Sequence, residues 1–386
     1  AFAAARAAQQ GGREKKSQGL SLLMPNVNLT ANSTYNDIDT QYTGGARALQ
    51  YNNSGYGVSL VQPLFRQQAW MSYSESELQV VISEAQYKAA EHDLILRVAQ
   101  SYFEVLMAQD SVQLTEAQKK AISEQLEQAK RNFEVGTSTI TDTYEAQARY
   151  DLVVAQEITA QSNLEIKQRS LQQITNSASV DLRQLGKGLS LDAPQPSDVE
   201  KWVENAQQHN LQVAIAAAAA ELADKEVSRT MGGHLPTLDL VANYTKNSSN
   251  GGTFTGTGYG SAETTSKVVG VQFNLPLFQG GATQSKYREA EAGRDKARQD
   301  LENTRRTVAV QTRQAYLGVA NGIAQVKALQ QALKSSESLL EASKLGQGVG
   351  VRTNLDVLNA QQQLFSTRRD LYQAEYNYLL SRLRLK

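Results

Sequence analysis

At 386 residues the chain is long enough for one large core or for two domains, and its 39 basic side chains balance its 39 acidic ones. A net charge of zero gives no argument for nucleic acid or an anionic surface, and the absence of cysteine excludes disulfides, thiolate catalysis and Cys-ligated metals. Aromatics are sparse and Ala and Gln fall in long runs, which suits long helices packed through small side chains better than a globular enzyme core.

No run of about 18 apolar residues occurs, so a transmembrane helix is not expected. No charged-then-apolar leader opens the chain, and Ala1 falls inside what reads as a helix, so the sequence is expected to begin after processing. If the protein spans a membrane, it must do so as a closed β-barrel.

The opening helix gives way at Pro25. Val27, Leu29 and Ala31 then alternate with Asn26, Asn28 and Thr30, and Val58 and Leu60 alternate with Gly57 and Ser59. This is the period of two of a strand with one apolar face. Asn36 to Ser54, rich in Gly, Ser, Thr and Asn, reads as an exterior loop between the two strands. Tyr35, Tyr42, Tyr51 and Tyr56 near the strand ends fit an interfacial belt. From Arg66 to Val135 no proline intervenes, which predicts a helix of about 65–70 residues, roughly 100 Å long at about 1.5 Å per residue. Gly136 ends it as a C′ glycine, and Thr141 or Asp142 can cap a returning helix that runs to about Leu185.

The second half repeats this plan. Leu238, Leu240, Ala242 and Tyr244 share one face of a third strand, and Val269, Val271, Phe273 and Leu275 one face of a fourth. Lys246 to Ser266 reads as the second loop, with Tyr259 as its belt residue. A long helix runs from about Ala282 to Leu345, with Gly293, Gly318 and Gly322 as weak points. Gly350 follows, and Thr353 or Asn354 can cap a last helix. Pro25 answers Pro236, Gln62-Pro63-Leu64-Phe65 answers Leu275-Pro276-Leu277-Phe278, and Tyr102 answers Tyr316. Val135-Gly136-Thr137 answers Val349-Gly350-Val351, and Asp142 answers Asp356, with an offset drifting only from 211 to 214. Two structural repeats, 1–210 and 211–386, are therefore expected.

Four strands per chain cannot close a barrel, since the smallest use about eight, and an open sheet in lipid would leave two unpaired edges. Several chains must share one barrel. The residues themselves do not choose three copies over two or four. The expected class is a mixed α and β membrane protein, with a long α-helical barrel and a transmembrane β-barrel shared between protomers.

The segments Gly233-His234-Leu235-Pro236-Thr237-Leu238-Asp239-Leu240 and Leu275-Pro276-Leu277-Phe278-Gln279-Gly280-Gly281 resemble a strand entry and a strand-to-helix junction of the TolC family of outer-membrane efflux and secretion ducts. Val349-Gly350-Val351-Arg352-Thr353-Asn354-Leu355-Asp356-Val357-Leu358-Asn359-Ala360 is similar to that family's periplasmic turn and gate helix, and Ala374-Glu375-Tyr376-Asn377-Tyr378-Leu379 to its helix end. The resemblance covers nearly the whole chain and is nearest to the TolC branch. It implies a homotrimer of twelve strands set in outer-membrane lipid, an α-barrel crossing the periplasm, and an equatorial belt from Gly186 to about Asn210. It also implies a periplasmic adaptor (membrane fusion) protein and an inner-membrane pump of ABC, RND or MFS type as partners, with no nucleic acid and no cofactor.

Residue by residue, the resemblance puts the gate arginine on Arg352 and its partners on Thr141 and Asp142. The residues alone also allow Arg352 and Asp356 to be an ordinary i,i+4 pair. The carboxylate rings of the constriction fall on Asp356 and, as a departure, on Asn359. The gate tyrosine position holds Gln347, and a gate glutamate position holds Lys344, facing Gln125. The turns Val135-Gly136 and Val349-Gly350 fall on the tips where the family docks its adaptor.

Enzyme signals are missing. His92, His209 and His234 accompany no nucleophile pattern, and Gly256, Gly258 and Gly260 lack a Walker lysine. No catalytic, cofactor or metal residue is assigned. The rival expectation is a non-transporting structural or adhesive trimer, a long coiled-coil body on a β-barrel anchor.

Overall fold

The computed structural model describes residues 2–177, 182, 189–254 and 258–386. Helix α1 (Phe2–Ser21) precedes strands β1 (Asn26–Tyr42) and β2 (Gly45–Phe65). Helices α2 (Gln67–Glu134) and α3 (Ile140–Thr175) follow, then α4 (Val199–His209) and α5 (Leu211–Met231). After a 3-10 turn at Gly232–His234 come β3 (Thr237–Phe254), β4 (Tyr259–Asn274), α6 (Ala282–Gly348) and α7 (Asn354–Leu385). The chain divides into two compact units, Ala1–Ala89 with Leu211–Arg305, and Ala90–Asn210 with Arg306–Lys386.

In the first unit the strands form one antiparallel sheet in the order β1-β2-β3-β4. The two expected loops are instead largely strand. β1 pairs with β2 without interruption from Asn26↔Val61 to Tyr42↔Gly45, and β3 pairs with β4 out to Phe254↔Tyr259. A polar composition does not prevent a strand when the neighbouring backbone is in register to accept every N–H. Gln50 Nε2 to Asp37 at 3.1 Å and Ser261 Oγ to Asn250 at 3.0 Å add cross-strand bonds in these polar halves. Gly256 and the rest of 255–257 lie outside the described residues.

The apolar halves of the edge strands point outward. Val27, Leu29, Val269, Val271 and Phe273 are all more than half exposed. The other face of β3 carries Asp239, 7% exposed, which accepts Arg66 Nε at 2.8 Å and Nη2 at 2.7 Å. This fork ties the β2–α2 junction to the start of β3.

Helix α1 lies against α2 through small residues. Cβ atoms built at Gly12 and Gly19 would fall 2.3 Å from Ser83 Oγ and 2.2 Å from Ser76 Oγ. Both glycines and both serines are one heptad apart, so the seam repeats as an antiparallel coiled coil does. Arg13–Glu84 at 3.2 Å and Lys16–Glu77 at 3.0 Å flank it.

In the second unit Ile122, Leu126 and Ala129 of α2 pack with Ala146 and Val153 of α3 and Leu358 of α7. A further cluster joins Val319 and Val326 of α6 to Leu371, Ala374 and Tyr378 of α7. The buried Tyr378 hydroxyl reaches the carbonyls of Asp192 at 3.2 Å and Ser190 at 3.4 Å, holding that connecting segment on α7. Helix α3 ends at Thr175, short of the expected Leu185, because Asn176 takes a left-handed φ of 54° and caps it. Leu185 and Gly186, the expected start of the equatorial belt, lie outside the described residues.

Candidate functional site

Both long helices stop in the same way. Gly136 N bonds Phe133 O at 3.0 Å and Thr137 N bonds Asn132 O at 2.8 Å; Gly350 N bonds Gln347 O at 3.1 Å and Val351 N bonds Gly346 O at 2.9 Å. These are Schellman ends, and they need a left-handed C′ residue. Gly136 has φ 75° and Gly350 φ 79°, with open space around each. The neighbouring Val135, Val349 and Val351 stand out into solvent.

Each returning helix then starts on a capping box. Thr139 Oγ1 accepts Asp142 N at 3.3 Å, and Asp142 Oδ2 accepts Thr139 N at 3.0 Å. Thr353 Oγ1 accepts Asp356 N at 3.2 Å, and Asp356 Oδ2 accepts Thr353 N at 2.8 Å. The first cap is thus Thr139, not Thr141 or Asp142, and Asp142 is the N3 partner. The second is Thr353, not Asn354. The signal was in the sequence: Thr-x-x-Asp occurs at both places and is a reciprocal box. The Thr353 backbone N–H, then its hydroxyl, and then the charge of Arg352 hold the Asp356 carboxyl below its ordinary pKa.

Within one protomer Arg352 Nη1 lies 3.8 Å from Asp356 Oδ1, one turn along the chain, and no hydrogen bond joins it to Thr141 or Asp142 among the described residues. Its backbone N bonds Gly346 O at 3.1 Å. A Cβ on Gly346 would fall 2.6 Å from Arg352 Cγ, so this glycine lets the arginine stem lie against α6. Gln347 Nε2 spans the turn to Asn354 Oδ1 at 3.2 Å. Gln125 is buried with Oε1 unpartnered, and Lys344 is exposed; no bond joins them among the described residues. Asn359 is held from α3 by Arg149, whose Nη2 donates to Asn359 Oδ1 at 3.1 Å. Sequence reasoning missed Thr139, Gly346 and Arg149.

The profile of the outer membrane efflux protein family matches residues 1–177 and 202–386. The chain belongs to this family. It is 35% identical over 368 residues to outer membrane protein TolC of Vibrio cholerae, covering 95% of this chain and 82% of that protein. It is 32% identical over 391 residues to the alkaline protease secretion protein AprF of Pseudomonas aeruginosa, covering 100% and 80%. The crystal structure of the outer membrane protein VceC from Vibrio cholerae matches with a TM-score of 0.84 over 99% of this chain and 91% of that one, at 17% identity, a likeness of fold. As a family member the chain is an outer-membrane export channel extending into the periplasm, and not an enzyme. No described helix is long and apolar enough to cross a membrane.

Proposed function

We propose that three copies of this chain form one duct, closing a twelve-stranded barrel in outer-membrane lipid and continuing as an α-helical barrel in the periplasm. The observation that carries this reading is the sheet. Among the described residues β1 pairs only with β2 and β4 only with β3, while both edge strands expose apolar side chains. In lipid each unpaired backbone group costs several kcal/mol, so the two edges need the edges of other copies. We read 1–210 and 211–386 as two structural repeats; the order helix, strand, strand, helix, helix occurs in α1–β1–β2–α2–α3 and again in α5–β3–β4–α6–α7.

Channels of this family work with periplasmic adaptors and inner-membrane pumps. Relatives named for protease secretion and for efflux support an ABC-type secretion pump or an RND or MFS efflux pump as the partner here. The adaptor docks at the tips Val135-Gly136 and Val349-Gly350, where the exposed valines offer an apolar contact. Gly136→Arg and Gly350→Arg should each lower adaptor cross-linking and export while leaving assembly intact; unchanged cross-linking in both variants would contradict this docking site.

The gate is Arg352 against Thr141 and Asp142 of a neighbouring protomer, with Gln347, Gln125 and Lys344 as side links. Asp356 and Asn359 line the constriction, one turn apart on α7. The unpartnered Oε1 of Gln125 and the open Oδ1 of Asp142, whose cap contacts all fall on Oδ2, support these pairings. Planar-bilayer recording from the purified assembly tests the function. Ion-conducting channels are expected, whereas an assembly that never conducts, even as Arg352→Ser, would support the structural or adhesive alternative.

A further inference from the structure

We infer that Arg149 sets the ion preference of the periplasmic constriction by placing a positive charge where a second acidic ring would otherwise act. The inference rests on the reading that Asp356 and Asn359 line that constriction. Arg149 lies on α3 and is half-buried. Its Nη2 donates to Asn359 Oδ1 at 3.1 Å and its Nη1 to Gln362 Oε1, two acceptors one turn apart on α7. The packing of Ala146 and Val153 against Leu358 brings the two helices to this spacing.

Both acceptors are neutral amides, and no carboxylate pairs with Arg149 among the described residues. The Asp356 charge, by contrast, is shared with Arg352 at 3.8 Å and with the Thr353 cap. Arg149 and Gln362 also line an open cavity of about 660 Å³ between α2, α3 and α7, so the guanidinium stays hydrated, and its bond to Asn359 is what brings its charge to the constriction. Around an assembled pore this makes one partly neutralised acidic ring beside a ring of cations. A divalent cation held at Asp356 is then repelled from the next turn, and chloride is excluded less.

The test uses the full assembled protein in planar bilayers, reading the K⁺/Cl⁻ permeability ratio in a KCl gradient and the block by Mg²⁺ added on the periplasmic side. Arg149→Gln should raise the preference for K⁺ and tighten Mg²⁺ block, each by roughly tenfold, the scale expected when several unit charges leave a wet constriction. Asn359→Asp, which pairs the arginine without removing it, should shift both in the same direction. Arg149→Lys should keep the parental values, because charge and not the fork is the agent. If Arg149→Gln and Asn359→Asp match the parent while Asp356→Asn relieves the block, the role of Arg149 is refuted and the constriction stands. If Asp356→Asn is also silent, the constriction reading falls and takes this inference with it. Arg149→Lys behaving like Arg149→Gln would refute the charge argument.

Discussion

Arg352→Ser is expected to raise the open fraction of the channel at least tenfold, seen as larger single-channel conductance and as sensitisation of cells to large antibiotics. Within one protomer the only ion pair of this arginine among the described residues is with Asp356, at 3.8 Å and with side-chain exposures of 54% and 38%. Such an exposed i,i+4 pair is screened by solvent and contributes too little to gate anything. The expected effect comes from the interface. In the proposed gate, removing the Arg352 cation would leave Asp142 of the neighbour without its counter-charge, a loss of a few kcal/mol per site. Symmetric copies act on a single closed-to-open equilibrium, and about 1.4 kcal/mol already changes its ratio tenfold. Gln347, whose Nε2 is already bonded to Asn354 across its own turn, is a weak side link against opening. A variant that conducts like the parent in identical salt would show that the contact with Asp356 is all that Arg352 does.

The helical part of the fold was legible because its punctuation is local. Proline is absent along α2 and α6, and glycine stands at both Schellman ends, so the start and stop of each long helix could be read from a few residues. The cap at Thr139 is equally local, but Thr141 and Asp142, two and three residues on, are also capping types, and only the reciprocal Thr139–Asp142 pair distinguishes them. The end of α3 turned on a single left-handed Asn176, weaker as a signal than glycine. The polar halves of the strands were not legible. Asn, Ser, Thr and Gly between Asn36 and Ser54 look the same in a loop as in a ladder, and only the partner strand decides. The bidentate bond from Arg66 to Asp239 and the reach of Arg149 to Asn359 join residues separated by 173 and 210 positions. Contacts at that separation are set by packing and leave no spacing to read.

Of the proposed gate, the sequence held the residue types and their repeat, and the protomer supplies the local scaffolding: capping boxes that orient Asp142 and Asp356, and a glycine at 346 that seats Arg352. The proposed closing contact lies between copies, which no single chain displays.

One barrel shared between copies underlies both the duct and its gate. The described residues of each chain form four strands of 17, 21, 18 and 16 residues, far more than the 9–11 or so that cross a bilayer, yet only two of these four are paired on both sides. A free edge of that length in lipid would leave many backbone groups unsatisfied, and closure with identical copies removes every edge at once. Native mass measurement of the purified protein in detergent tests this directly. A species of three chains, each of 42.3 kDa for the sequence given, is expected to persist on dilution. A stable, folded monomer would contradict it.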